Sequence, residues 1–272
     1  MKQRIFCLAD LHGHYDQLID LMDKLYQEHN LNLEKDVLVQ LGDMVDGGDD
    51  TKKVLDWAID LKEMFPKNFI PILGNHESLL LDAFNPEHPI YGDYYLWWRQ
   101  GGQATLESFK PQNFSDYEKA IMQPKDLITE KYLNFIKELD LYYETEDYFF
   151  VHAGLYPNRT IEDHKNAVKA SYPLGFHPSM MAEGDMAYDM IWIREPFIGS
   201  DWDWGKKIVF GHTVLPYGMH MGRNENGEPM SVPGYPLVMD NKIGIDGMAH
   251  ETGRLIAVIL PEEKFVYSQW SE

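Results

Sequence analysis

The first eighty residues alternate three times between a short apolar run and a segment of helical periodicity, and nothing else in the sequence restricts the fold as much. Ile5 to Ala9 precedes Gln17 to His29, Val37 to Leu41 precedes Lys52 to Met64, and Phe69 to Leu73 precedes Glu77 to Phe84. Strands joined by crossover helices lie side by side in a mostly parallel sheet, covered on both faces, with ligands bound outside the carboxyl ends of the strands. The polar clusters that follow each apolar run therefore fall along one edge.

Beyond this region the pattern changes. Residues from about 85 to 146 lose the alternation, carry Tyr91, Tyr94, Tyr95, Trp97 and Trp98, and have joints at Pro86, Pro89, Pro111 and Pro124. They read as a helical, aromatic-rich insertion that shapes substrate access. Six further apolar runs follow: Tyr148 to Val151, Lys207 to Phe210, Leu237 to Met239, Lys242 to Ile245, Leu255 to Leu260 and Phe265 to Ser268. Helix signals thin out here, so this half is expected to add sheet, partly antiparallel. The stretch Met180 to Met190 reads as a flexible lid or loop. With no linker or repeat, residues 1–272 are expected to form a single α/β domain.

The 272-residue chain carries 44 acidic against 24 basic residues, a formal net charge of −20. Such a surface disfavours nucleic-acid backbone and attracts divalent cations. No apolar run reaches the ~20 residues needed to cross a bilayer, and the N-terminus has no signal-peptide core; the expectation is a cytoplasmic protein without a membrane partner. The single cysteine, Cys7, lies among Ile5, Phe6 and Leu8 and reads as a small buried hydrophobe rather than a nucleophile.

The strand ends carry the chemistry. Asp10, His12 and His14 follow the first strand, Asp43 and Asp46 the second, Asn75, His76 and Glu77 the third, and His152 and His212 two of the later ones. Carboxylates and neutral imidazoles bind divalent metals, and an aspartate can bridge two ions. Gly13, Gly42, Gly74, Gly154 and Gly211 adjoin or closely follow these donors, which suits tight strand-to-loop turns.

In order, the segments Ala9-Asp10-Leu11-His12-Gly13, Gly42-Asp43-Met44-Val45-Asp46-Gly47-Gly48, Gly74-Asn75-His76-Glu77, Val151-His152-Ala153-Gly154 and Gly211-His212-Thr213 resemble the motif set of the calcineurin-like metallophosphoesterase superfamily. The resemblance is to its phosphoprotein phosphatase family of Ser/Thr phosphatases and to their bacterial and phage relatives, including symmetrical diadenosine tetraphosphatases. It extends from Asp10 to about Asp246, and takes in the stretches around Trp98 to Thr105 and Ile191 to Arg194. It implies an α/β fold of two mixed β-sheets in a sandwich flanked by helices.

It further implies two divalent metal ions, Mn²⁺ first with Fe or Zn as alternatives. Asp10 and His12 would hold one ion, Asp43 would bridge, and Asn75, His152 and His212 would hold the other. A metal-bridging hydroxide would attack phosphorus directly, with His76 as general acid, Asp46 orienting its ring, and Arg194 binding phosphate oxygens. Asp246 and His14 are expected behind the ligands rather than among them. The family's second motif ends in a phosphate-binding arginine whose position here is Gly47. Arg99 is a candidate replacement, though an arginine beside two tryptophans is equally well explained by packing. Trp97 and Trp98 offer a nucleotide-stacking platform, with core packing the commoner use of such residues. His88, His164, His177, His220 and His250 match no motif and default to exposed or structural roles.

The expected activity is hydrolysis of phosphate monoesters, first as a protein Ser/Thr phosphatase acting on a phosphoprotein. Small phosphate esters, with a symmetrical dinucleoside polyphosphate (Ap4A) hydrolase as the example, are the alternative within the same chemistry. A catalytically weak metal-binding scaffold is the alternative of another class. The oligomeric state is not legible in the sequence.

Overall fold

The computed structural model describes residues 3–84, 91–111, 124–171, 185–214 and 234–269. Ten strands are found among them: β1 (Ile5–Leu8), β2 (Val37–Gln40), β3 (Phe69–Pro71), β4 (Tyr142–Glu144), β5 (Tyr148–Val151), β6 (Lys207–Phe210), β7 (Leu237–Val238), β8 (Lys242–Gly244), β9 (Ile256–Leu260) and β10 (Lys264–Tyr267). They form two five-stranded sheets, in the orders β10-β9-β1-β2-β3 and β4-β5-β6-β8-β7. The first has a parallel β1-β2-β3 half and antiparallel β9 and β10; the second has parallel β5-β6-β8 edged by antiparallel β4 and β7.

The apolar runs are continuous because both faces of each sheet are covered. Alternate residues Ile5, Cys7, Val37, Val39, Val258 and Leu260 meet Phe150, Val209 and Ile243 of the second sheet in a shared sandwich core. Phe6, Leu8, Leu38 and Ile259, on the opposite face, pack under the helices α1 (Tyr15–Gln27) and α2 (Thr51–Met64). In α1 the buried set Leu18, Leu21, Met22 and Leu25 has the three-and-four spacing of one helical face. On the outer side of the second sheet Phe149, Val151, Ile208 and Phe210 pack with Met190, Phe197 and Trp204. Cys7 is fully buried, and burial pushes its thiol up, as expected of an inert core residue.

Every strand expected from the sequence is present within two residues of its expected bounds. Three features differ. The strand β4 lies inside the segment read as a helical insertion, although the described remainder of that segment is helical: α3 (Asn75–Ala83) leads to α4 (Tyr91–Trp97), a π-turn at Trp98–Gly102, α5 (Gln103–Phe109) and two short helices at Pro124–Leu127 and Glu130–Lys137. Three residues are too few to reveal period two, and β4 exists only by pairing with β5. A helix occupies Met186–Trp192 where a loop was expected, capped by Asp185, whose side chain accepts the Ala187 N–H at 2.9 Å. A second helix, Ile161–Ser171, was not anticipated either. Residues 180–184, with Met180 and Met181, lie outside the described residues, as do Pro86, Pro89, His88, His177 and His220.

Away from the strand-end donors, a buried lysine carries charge. Lys242 is fully buried on β8, and its ammonium donates to the carbonyls of Phe197, Ile198 and Ser200 at 2.6, 3.0 and 2.7 Å while lying 4.8 Å above the Phe197 ring. Lys242→Met keeps the volume but removes the ammonium from three carbonyls, of which Phe197 O keeps the Ser200 N–H at 3.2 Å and Ser200 O the Asn241 amide at 3.1 Å. It is expected to cost about 3 kcal/mol, lowering Tm by roughly 6–10 °C in a thermal melt. An unchanged melt would show that the carbonyls find other donors.

Candidate active site

Six strands point their carboxyl ends at one cavity of about 320 Å³, lined among others by Asp10, His12, Asp43, Asn75, His76 and His212. Asp10 and His12 follow β1, Asp43 and Asp46 follow β2, Asn75 and His76 open α3 after β3, His152 follows β5, His212 follows β6 and Asp246 follows β8. The turns that aim them are strained: His12, Asp43, Asp46 and His212 have φ of 42, 55, 67 and 60°. Left-handed conformations at non-glycine residues are unfavourable and persist where surrounding contacts fix them. Two glycines allow the approach. A Cβ on Gly74 would stand 2.2 Å from Asp43 Oδ1, and one on Gly211 2.2 Å from Asp10 Oδ2.

Three histidines of the cluster have one ring nitrogen beside a backbone carbonyl. His12 Nδ1 lies 3.1 Å from Val45 O, His152 Nδ1 2.7 Å from Leu41 O, and His212 Nε2 3.2 Å from Trp192 O. Their other nitrogens converge. Asn75 Oδ1 is 2.8 Å from His152 Nε2 and 2.9 Å from His212 Nδ1, while Asp43 Oδ2 is 3.4 Å from His152 Nε2 and 3.7 Å from His12 Nε2. Rings fixed from behind by carbonyls and facing shared oxygens in front are the arrangement of metal-binding histidines. Potential ligand atoms fall into two groups, Asp43 with His12 and His76 and Asp43 with His152 and His212, so Asp43 belongs to both.

The electrostatics ask for cations. Burial, with Asp246 and Asp43 nearby, pushes the Asp10 carboxyl well above its ordinary range, and burial with Asp43 and Glu251 nearby raises Asp246 to about 6. Burial would raise Asp43 too, but His152 and His76 hold it well below. Burial and neighbouring His76 push His12 down to about 3, which leaves its imidazole neutral and able to donate a lone pair. Burial, His152 and Arg194 likewise hold His212 well below its usual value. Four crowded acids with one arginine, Arg194, among the described lining residues, beside neutral imidazoles, match the donor chemistry of divalent metal ions.

A second layer holds this set in place. The fully buried Glu77 carboxylate accepts the backbone N–H groups of Asp43, Met44, Val45 and Gly74 at 2.7, 2.6, 3.2 and 3.0 Å, pinning the β2 turn to the start of α3. Asp46 Oδ2 lies 2.9 Å from His76 Nδ1, and its other oxygen accepts from Trp97 Nε1 at 3.1 Å and Thr105 Oγ1 at 2.7 Å. Burial would lower His76, but the Asp43 charge and the Asp46 hydrogen bond raise it to about 9. It stands as an imidazolium at neutral pH.

Arg194 lines the cavity and donates to His212 O at 3.4 Å. It also lines a neighbouring cavity of about 420 Å³ with Tyr156, Tyr188 and Trp192. Arg99 is elsewhere: it is exposed, 5.8 Å over the Tyr95 ring, and does not line the site cavity. Trp97 is buried and braces Asp46, which removes it as a stacking platform; Trp98 is partly exposed beside Tyr94. His14 hydrogen-bonds the Ala249 backbone and does not line the cavity, whereas Asp246, whose Oδ1 accepts from Met248 N at 2.8 Å, lines it. His164 is structural, accepting from Tyr156 N at 2.9 Å.

The bracing roles of Trp97, Thr105 and Glu77 were not read from the sequence, which offered Trp97 for stacking and Glu77 among the strand-end donors, and left His250 to an exposed or structural role although it lines the cavity. Glu77 and Thr105 stood within the resembling stretches, but nothing local marked what they brace.

A sequence model of the calcineurin-like phosphoesterase family matches residues 3–239, and the chain belongs to that family. It is 28% identical over 170 residues to a zinc-dependent endopolyphosphatase of Saccharomyces cerevisiae, covering 57% of this chain and 48% of that protein. It is 23% identical over 220 residues to serine/threonine-protein phosphatase 2 of Salmonella typhimurium (80% and 83%), and 24% identical over 157 residues to a symmetrical bis(5'-nucleosyl)-tetraphosphatase of Nitrosomonas europaea (58% and 47%). The chain thus spans about half the length of the first and third of these. Among solved structures, a protein serine/threonine phosphatase from Saccharomyces cerevisiae superposes with a TM-score of 0.53 at 16% identity, covering 99% of this chain and 81% of that one. A cold-active protein-tyrosine phosphatase of a Shewanella species gives 0.54 at 16% (98% and 80%). At such identities the likeness is one of fold. No helix among the described residues is long and apolar enough to cross a membrane.

Proposed function

We propose that this protein hydrolyses phosphate monoesters with two divalent metal ions, most readily supplied as Mn²⁺ with Fe or Zn as alternatives, and that phosphoserine or phosphothreonine in protein is its substrate. The observation that carries the reading is the buried donor set sharing Asp43, with a charged His76 at its edge. Asp10, His12, Asp43, Asn75, His152 and His212 would hold the two ions, which would supply charge neutralisation of the phosphoryl oxygens and a bound water acidic enough to be deprotonated near pH 7. Arg194 binds phosphate oxygens through its guanidinium fork. His76 holds a proton on Nε2 for the departing alkoxide, because Asp46 engages Nδ1 and fixes the ring.

Metal-stripped protein given Mn²⁺ should release phosphate from a panel of phosphoserine and phosphothreonine peptides; no release at saturating metal sinks this substrate assignment. A specific observation favours a second reading: the aromatic cavity beyond Arg194, walled by Tyr156, Tyr188 and Trp192, has room for a nucleoside. Release of two ADP from diadenosine tetraphosphate, with inert phosphopeptides, would establish that reading. Metal binding without turnover of either substrate would leave a scaffold.

Asp46→Asn tests the proton donor. The acid must keep its proton, so the rate declines as pH rises through the His76 pKa. Removing the Asp46 charge lowers that pKa, so the alkaline limb of the pH–rate profile should move to lower pH. A limb that stays in place would show that another group sets it.

A further inference from the structure

The corner of the cavity beside His12 presents a group with no role assigned above. His250 belongs to the turn from Asp246 to Gly253, a segment fixed in detail: Met248 is left-handed at φ 71°, Asp246 Oδ1 accepts its N–H at 2.8 Å, Thr252 Oγ1 donates to its carbonyl at 2.8 Å, and His14 hydrogen-bonds the Ala249 backbone. A left-handed non-glycine residue held by this many contacts marks a turn whose shape is imposed. The turn delivers an exposed imidazole into the cavity. The ring meets His12 edge-on at 4.8 Å between centroids and stands 5.7 Å from His76.

Two bare glycine backbones make room for it. A Cβ on Gly47 would come within 3.2 Å of His250 Cδ2, and one on Gly101 within 3.2 Å of His250 Nε2. No side chain from positions 47 or 101 therefore reaches the cavity, and the imidazole is what that corner offers. Its own bond is weak, with Nε2 3.4 Å from the Gln100 carbonyl, so its N–H is under-committed.

Charge makes the position consequential. Asp10, Asp43, Asp246 and Glu251 line the cavity, and Arg194 is the only arginine or lysine among its described lining residues. Arg194 stands at the His212 end, through its bond to His212 O, whereas His250 stands at the His12 end. A phosphoryl group spanning the cluster presents oxygens to both ends and meets a permanent cation at one of them.

We propose that His250 binds a phosphoryl oxygen from the His12 side, completing with Arg194 a two-ended clamp on the substrate's phosphate group. This rests on the phosphoesterase reading. On substrate arrival the ring N–H leaves its long contact with Gln100 for the stronger acceptor.

The test uses full-length, Mn²⁺-loaded protein and inorganic phosphate as probe, with binding followed by titration calorimetry and metal content by elemental analysis. His250→Leu keeps bulk without a donor, and His250→Gln keeps a donor. The leucine variant should hold as much metal as wild type yet bind phosphate about tenfold or more weakly, with KM for a phosphate ester raised in parallel. The glutamine variant should recover most of that loss. Wild-type affinity in both variants, or equal loss in both, overturns the clamp, because the ring would then be idle or mere packing. Loss of metal from the leucine variant also overturns it, making His250 a ligand. If metal-loaded wild type binds no phosphate at all, the phosphoesterase reading itself falls, a result distinct from wild-type binding that His250 variants leave unchanged.

Discussion

Asp43→Asn is expected to lose bound metal and to hydrolyse para-nitrophenyl phosphate at least about a thousandfold more slowly than wild type. Asparagine has the same shape and can still accept the His76 N–H that now reaches Oδ1 at 3.0 Å, so the turn should survive. What disappears is the negative charge common to both donor groups. A bound metal contributes several kcal/mol of transition-state stabilisation, and roughly 4 kcal/mol corresponds to the thousandfold loss. Elemental analysis beside the rate measurement decides the matter. A variant that keeps two ions per chain and near-wild-type turnover would show that Asp43 is not shared between them.

The second large effect concerns His76. His76→Asn should keep its metal, since the remaining donors are untouched, and lose about 10²–10⁴ in kcat toward an alkyl phosphate. The loss should be far smaller with para-nitrophenyl phosphate, because nitrophenolate departs without needing a proton whereas an alkoxide does not. That contrast separates a proton donor from a residue that merely shapes the cavity, whose removal would slow both substrates alike. Equal losses would assign His76 to binding. The pairing of His76 Nδ1 with Asp46 at 2.9 Å, braced by Thr105 and Trp97, gives the ring one orientation.

How much of this was legible in the sequence follows from where each signal resides. The strand-end donors could be found because an apolar run, a turn and a metal-binding residue recur in fixed local order; Asp10, His12, Asp43, Asn75, His152 and His212 all converge as that order implies. The braces could not be found this way. Thr105 and Trp97 act on Asp46 from 59 and 51 residues away, an approach set by tertiary packing. His250 lay four residues past Asp246, where the resemblance ends, on a four-residue helix that only its neighbours stabilise. Arg99 illustrates the opposite case: its place in the stretch after the third motif made it a candidate to replace the arginine absent at Gly47, but beside the kink at Gln100 and Gly101 it lies on the surface over Tyr95, the packing alternative. The helix at Met186–Trp192 went unread because seven residues are two turns, too few for a periodicity to declare itself.

The site straddles the junction of the two sheets. Asp10 and Asp43 hang from the first sheet and His152 and His212 from the second, and the contacts of the His152 ring with Leu41 O and of the His212 N–H with the Asp10 carboxylate already cross that boundary. Cations bound there would act as rivets through a seam. Their affinity would add to cohesion between the sheets by mass action, so the working temperature of the fold is coupled to the cell's supply of metal. Starvation for that metal would loosen the sandwich at the same end where it silences the chemistry, and the idle protein would be the one most open to proteolysis.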